Sequence, residues 1–320
     1  MVRIDVKTGY VKVDRLPKSA PWAQGVSYPF PVTIDDGKLA KVDGKYLVIL
    51  WDAADGKLYL CECDDFKDFN TYRVRAEIVL SVGGQEVVDY PVSANIVGYD
   101  VYWFVSYNDN GYIVKTSYKV LYESKIVLNL DNAYSLQNVM SPIYAGHVIK
   151  YGDYFYIAVH GSTGLLKLFR TVDFNTFEDL WAGLTSLNYR YHPKLLRVKY
   201  NSEPVILVTY LQIVDTTMTY YAEIYDLNRN VKASVDVTSL NPTTTGWFTL
   251  PESNKSIVDT DSGLVVTELI THPGTYVGEF TKPWWDQIID MFNQLVSILM
   301  QLLPIILLIT VILSAIALAT

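Results

Sequence analysis

The feature that most limits what this chain can fold into is a phrase it repeats. "GKYLVILW" from Gly44, "GYDVYWFVS" from Gly98 and "GDYFYIAVH" from Gly152 each place a glycine turn before an alternating run of aromatic and β-branched residues. Such runs read as strands, and their regular recurrence is that of one supersecondary unit. Fainter copies follow at "NSEPVILVTYL" from Asn201 and "DSGLVVTELI" from Asp261. The first three copies carry a second turn at a similar offset, at Gly56, Gly111 and Gly164. Asp-Gly and Asn-Gly between apolar runs mark tight hairpins, whose central positions want positive φ. Pro31, Pro91, Pro142, Pro193 and Pro251 stand before the units, where a strand start tolerates a missing N–H.

Meanders of roughly 40–50 residues that can bury their faces only against each other build a β-propeller. The expected architecture is therefore all-β: a five-bladed β-propeller over residues 1–280, then a juxtamembrane and transmembrane α-helix over 281–320. The blades are expected at approximately 30–80, 85–130, 138–185, 188–240 and 245–280. The endings "DFNTY" (Asp68–Tyr72) and "DFNTF" (Asp173–Phe177) read as turns into an outer strand. There Asp and Asn cap the turn and the aromatic packs between blades.

With their flanks, "CDDFKDFNTY" (Cys63–Tyr72) and "TVDFNTFEDLW" (Thr171–Trp181) resemble the outer-strand endings of five-bladed propellers in the arabinanase and fructosidase group of glycosidases. The resemblance covers two blades and implies the fold. It also implies an activity, with carboxylates on the inner strands facing each other across a sugar at about 5–10 Å. Asp36 with its neighbour Asp35, Asp89 and Glu252 are the candidates. The third unit, "NVMSPIYAGHV", offers Ser141, Tyr144 and His147 but no acid. Turn chemistry accounts for Asp35, Asp36 and Glu252, so no catalytic residue is assigned.

Composition narrows the remaining classes. A formal net charge of −8 with 19% charged residues leaves no basic face for nucleic acid. The four histidines, His147, His160, His192 and His272, show no metal-ligand spacing, and no glycine-rich phosphate loop is present. No metal and no cofactor are expected. Cys61 and Cys63 share a strand face at i, i+2 and read as buried thiols. The 25 tyrosines point to binding. Rings with polar tips give broad contact at low entropy cost and stack on sugars, so Tyr28, Tyr90, Tyr144, Tyr189 and His192 are candidate ligand-binding residues.

The tail follows different rules. Met291–Thr320 carries no formally charged side chain, and a span needs about 20 apolar residues. Trp284 and Trp285, beside Asp286 and Asp290, mark the expected bilayer boundary. Pro304 is tolerated within such a helix. Gln287, Gln294 and Gln301 recur every seven residues, and Ile288, Phe292, Leu295, Leu299, Leu302, Ile306, Ile309 and Leu313 follow a 4-3 spacing. Both patterns predict a homo-oligomer through this helix. "MVRIDVKTGYVKVDRLPKSAPW" has no apolar run of signal-peptide type, so no cleaved leader is expected. The composition is similar in style to proteins of viruses infecting hot-spring archaea. The expected function is a non-enzymatic virion surface protein, a spike or attachment subunit with its propeller outside the envelope, binding a host receptor or glycan. A membrane-anchored glycoside hydrolase and a cellular tail-anchored scaffold are the alternatives.

Overall fold

A computed structural model of the chain describes residues 2–5, 10–13, 30–34, 37–52, 57–64, 73–87, 92–162, 165–181, 190–200, 203–214, 217–225, 231–236, 256–260, 263–265 and 277–319. The chain divides into two compact units, Met1–Phe280 and Thr281–Thr320.

The first unit is built from antiparallel meanders. β1 (Val2–Asp5) and β2 (Tyr10–Val13) form a hairpin, and β3 (Phe30–Ile34) precedes the first meander. That meander is β4 (Lys38–Val42), β5 (Lys45–Asp52), β6 (Lys57–Cys63) and β7 (Arg73–Val82), extended by β8 (Gln85–Val87). The second is β9 (Ser93–Val97), β10 (Asp100–Tyr107) and β11 (Asn110–Ser117). Before its outer strand β13 (Tyr134–Ser135), β12 (Lys125–Asn129) crosses back to pair parallel with β7. The third is β14 (Ala145–Tyr151), β15 (Tyr154–His160), β16 (Leu166–Thr171) and β17 (Glu178–Asp179). The fourth is β18 (Arg190–Tyr200), β19 (Glu203–Val214), β20 (Thr217–Tyr225) and β21 (Val231–Asp236). A further hairpin, β22 (Ser256–Thr260) with β23 (Gly263–Val265), and a strand β24 (Val277–Phe280) complete the unit.

The alternation of side chains along the second strands shows how these meanders stack. On β5, Leu47 and Ile49 join a core shared with β10, to which Val101, Trp103 and Val105 contribute. Val48 and Leu50 point the other way, onto Tyr59, Cys61 and Cys63. On β10, Phe104 faces instead the core that it shares with Phe155, Ile157 and Val159 of β15. Tyr156 and Ala158 turn to the fourth meander and pack with Leu195, Ile206 and Val208. β10 and β15 are thus buried on both faces by the meanders on either side, and the second face of β5 is buried among residues of its own meander, which is why these strands read as near-continuous apolar runs. This serial face-to-face stacking of meanders is a β-propeller.

Parallel pairings link strands of different meanders. β3 runs parallel to β9, β18 parallel to β22, and β24 parallel to β4. The last pairing ties the end of the unit to its first blade, with the Gly44 amide donating to Glu279 Oε1 at 3.1 Å.

Gly44, Gly98 and Gly152, at φ +74°, +58° and +57°, turn each first strand into the second. One expected turn lies elsewhere. The positive φ values between β10 and β11 belong to Asn108 (47°) and Asp109 (59°), two residues before the anticipated Asn110-Gly111 pair. Gly111 is already in strand, and a Cβ there would meet Ile143 and Leu136 at 3.1–3.2 Å, so its smallness serves packing. Pro193 lies within β18 rather than ahead of it, at the irregularity between Tyr191 and Lys194 where the ladder skips a pairing. Cys61 and Cys63 are buried free thiols, and burial pushes the Cys61 thiol up.

The second unit is one helix, α1 (Trp284–Ala319), of 36 residues, uninterrupted at Pro304. Asp286 lies in its first turn, where a carboxylate complements the helix dipole. Lys282 forms an ion pair with Asp290, and Gln287 Nε2 donates to the Lys282 carbonyl at 2.6 Å. The stretch Trp284–Ile306 is long and apolar enough to cross a membrane.

Candidate functional site

The inner strands of the first four blades are joined by side chains that bond to the next strand's backbone or side chain. Asn95 Nδ2 donates to Thr33 Oγ1 at 2.9 Å, and that hydroxyl donates to the Ala94 carbonyl at 3.1 Å. Asn95 Oδ1 accepts from the Lys150 amide at 3.3 Å, and Ser93 Oγ donates to the Gly146 carbonyl at 3.0 Å. His147 Nδ1 accepts from the Leu195 amide at 3.1 Å. Thr33, Ser93, Asn95 and His147 are each no more than 1% exposed. Polar side chains are expected at such depth only where their bonds are made.

Backbones also approach closely there. A Cβ added at Gly146 would lie 2.6 Å from the Phe104 ring, and one at Gly37 would lie 2.5 Å from the Leu195 carbonyl oxygen. Gly37, at φ +88°, belongs to the β3–β4 turn, which therefore reaches the inner strand of the fourth blade. The β3–β4 turn is packed closely enough at Gly37 to exclude even a methyl group.

Space opens instead at the outer edge, between the second and third blades. A cleft of about 720 Å³ lies between β13 and the turn from β16 into β17. That volume is within the range of small-ligand sites. Tyr134, Phe169, Phe174 and Phe177 supply its aromatic surface, and Ser135, Asn138, Asn175, Thr176 and Asp179 its polar one.

The DFNTF turn positions one wall. Thr171 Oγ1 accepts from the Phe174 amide at 2.9 Å, and Asp173 Oδ1 accepts from the Asn175 and Thr176 amides at 2.9 and 3.1 Å. Those two amides hold the Asp173 carboxyl below its ordinary value. The bonds keep Phe174 at φ +60°, a left-handed conformation that a bulky residue rarely adopts. The turn drives the Phe174 ring between the blades, 4.5 Å from Phe155, 5.8 Å from Tyr102 and 4.9 Å from Tyr134. Tyr134 stacks on Phe174 with one face, yet 37% of the residue is exposed.

The electrostatics of the cleft are neutral. Neither lysine nor arginine is among its lining residues. Asp179 is already engaged, with Oδ2 at 2.9 Å from Lys167 Nζ and Oδ1 accepting from the Trp181 amide at 2.8 Å. Among the described residues no cluster of histidine, cysteine or carboxylate could hold a metal ion.

None of the candidate binding residues singled out from sequence is among the described lining of this cleft. Asp36, Asp89, Glu252, Tyr28, Tyr90 and Tyr189 lie outside the described residues. His192 lies in β18, its side chain outside the described ones. Tyr144 is 43% exposed and stands edge-on to His160 at 6.3 Å, away from the cleft lining. Trp284, Trp285, Gln287, Gln294 and Gln301 are exposed on α1. Sequence reasoning missed Tyr134, Asn138 and Phe169. Phe174 and Phe177 were visible in the DFNTF motif, but as packing.

No protein-family profile matches the chain, and no curated protein matches its sequence. Among solved structures, the chain is similar to a Bombyx mori GH32 β-fructofuranosidase mutant in complex with sucrose, at 12% identity and a TM-score of 0.38. The match covers 68% of this chain and 53% of that one, so the chain spans about half the enzyme's length.

Proposed function

We propose that this chain is a membrane-anchored, non-enzymatic recognition protein, whose propeller binds a neutral glycan in the cleft between its second and third blades. The observation that supports this reading is the partly exposed Tyr134, stacked on Phe174 and flanked by hydroxyl and amide groups, in a cleft whose one carboxylate, Asp179, is paired with Lys167. An aromatic face takes the C–H face of a sugar, and neutral donors and acceptors take its hydroxyls. An anionic glycan would find no cationic partner among the lining residues. The apolar helix α1 supports the anchoring half of the proposal. The finer setting is an enveloped virus particle with the propeller outward as an attachment subunit; finding the chain in purified particles tests that setting.

The full chain in detergent micelles, applied to an array of neutral and anionic glycans, tests the binding. Retention of neutral glycans is expected, with a loss of about tenfold for Tyr134→Ala. Binding untouched by that substitution, or none at all, would sink the proposal. Release of sugar from the array would favour the glycoside hydrolase instead.

A further inference from the structure

The polar residues in the first half of α1, from Asp286 to Gln301, are not scattered. At 3.6 residues per turn, Asp286, Asp290, Asn293, Gln294, Ser297 and Gln301 fall within an arc of about 100°. Gln287, at the edge of that arc, is bonded back to the Lys282 carbonyl. The 4-3 set Ile288, Phe292, Leu295, Leu299, Leu302 and Ile306 lies on the opposite side, centred about 180° away. The amide repeat and the leucine seam, which both predict association, therefore cannot meet the same partner face.

Depth decides between them. Asp290 is the last formally charged residue of the helix. At 1.5 Å per residue, Gln294, Ser297 and Gln301 lie roughly 6, 10 and 16 Å beyond it. In a hydrocarbon core about 30 Å thick, Gln301 reaches the middle. A carboxamide there brings two donors and an acceptor that lipid tails cannot satisfy. A leucine face needs nothing there but lipid.

We infer that parallel copies of this chain associate in the bilayer through the stripe Asn293–Gln294–Ser297–Gln301, with the leucine seam turned to lipid. A second copy is the occupant that fits, because identical helices inserted alike bring the same amides to the same depth. Each amide is both donor and acceptor, so the stripe is complementary to itself. The acidic end is compatible with this arrangement, since the Asp290 carboxylate is paired with Lys282 of its own chain.

The inference rests on α1 crossing the membrane, and the test separates the two. The full chain is reconstituted in phosphatidylcholine vesicles and washed with alkaline carbonate; retention is expected, and release would overturn the span and this inference with it. Single variants Ser297→Cys and Leu299→Cys are then oxidised, with the wild-type chain, whose Cys61 and Cys63 are buried, as control. Ser297→Cys is expected to give disulfide-linked dimer and Leu299→Cys to stay monomeric. A carbonate-resistant chain that cross-links at 299 and not at 297, or at neither, would overturn the stripe. The double variant Gln294→Leu, Gln301→Leu should lower the association constant about tenfold by fluorescence transfer between labelled chains. An unchanged constant would count against it.

Discussion

The inner and outer edges of the seam between the second and third blades are held by different chemistry. At the inner edge the strands approach closely enough for Ser93 and Asn95 to reach the backbone of β14, and Gly146 makes room for the Phe104 ring. At the outer edge the blades diverge, and short polar groups cannot bridge them. Phe155, Phe174, Tyr102 and Tyr134 fill the wedge instead, with centroids 4.5–5.8 Å apart. The part of the wedge they leave unfilled is the cleft. Radial divergence therefore requires hydrogen bonds to fix register near the axis and large rings further out, and it makes the rim a natural place for a ligand.

This contrast can be broken from either side. The largest effect is expected for Phe174→Ala, which removes the ring at the centre of the wedge and should cost about 4 kcal/mol in chemical unfolding. Gly146→Ala should cost about 2 kcal/mol, because its new methyl group would sit against both Phe104 and the Ala158 carbonyl. Asn95→Ala leaves the Lys150 amide without its acceptor and Thr33 Oγ1 without its donor, and should cost about 1–2 kcal/mol. Tyr134→Ala should cost about 1 kcal/mol, well below Phe174→Ala, since only part of the residue is covered, while weakening glycan binding. If it destabilised the fold as much as Phe174→Ala, Tyr134 would be a core residue and not a binding one.

The smallest expected effect depends on pH. Asp173 has a native carboxyl below its ordinary value, held there by the Asn175 and Thr176 amides. The unfolded chain takes up the proton first as pH falls. The contribution of Asp173 is complete above about pH 4 and is lost as pH drops through the lower native value. Asp173→Asn should therefore reduce the acid dependence of stability while slightly lowering stability at neutral pH.

Much of the inner architecture was legible because it is local. Gly44, Gly98 and Gly152 announce the same turn three times, and the alternation in β5, β10 and β15 follows directly from burial on both faces. The DFNTF turn was readable for the same reason: Asp173 bonds residues two and three positions away. The outer rim was not. β13 and β17 are two residues long, too short to show any period. The cleft joins Tyr134 and Asn138 to Phe169–Asp179 across a blade boundary, so no single stretch contains its pattern. On α1 the seven-residue glutamine repeat was visible, but its opposition to the leucine seam follows only from placing both on one continuous helix.

Hydrogen exchange of the full chain in detergent, with and without the neutral glycan best retained on the array, tests the location of the site most directly. Added protection is predicted at residues 133–139 and 169–179, with the inner strands β9 and β14 unchanged. Protection confined to the β3–β4 turn and the inner strands β9 and β14 would contradict the rim site.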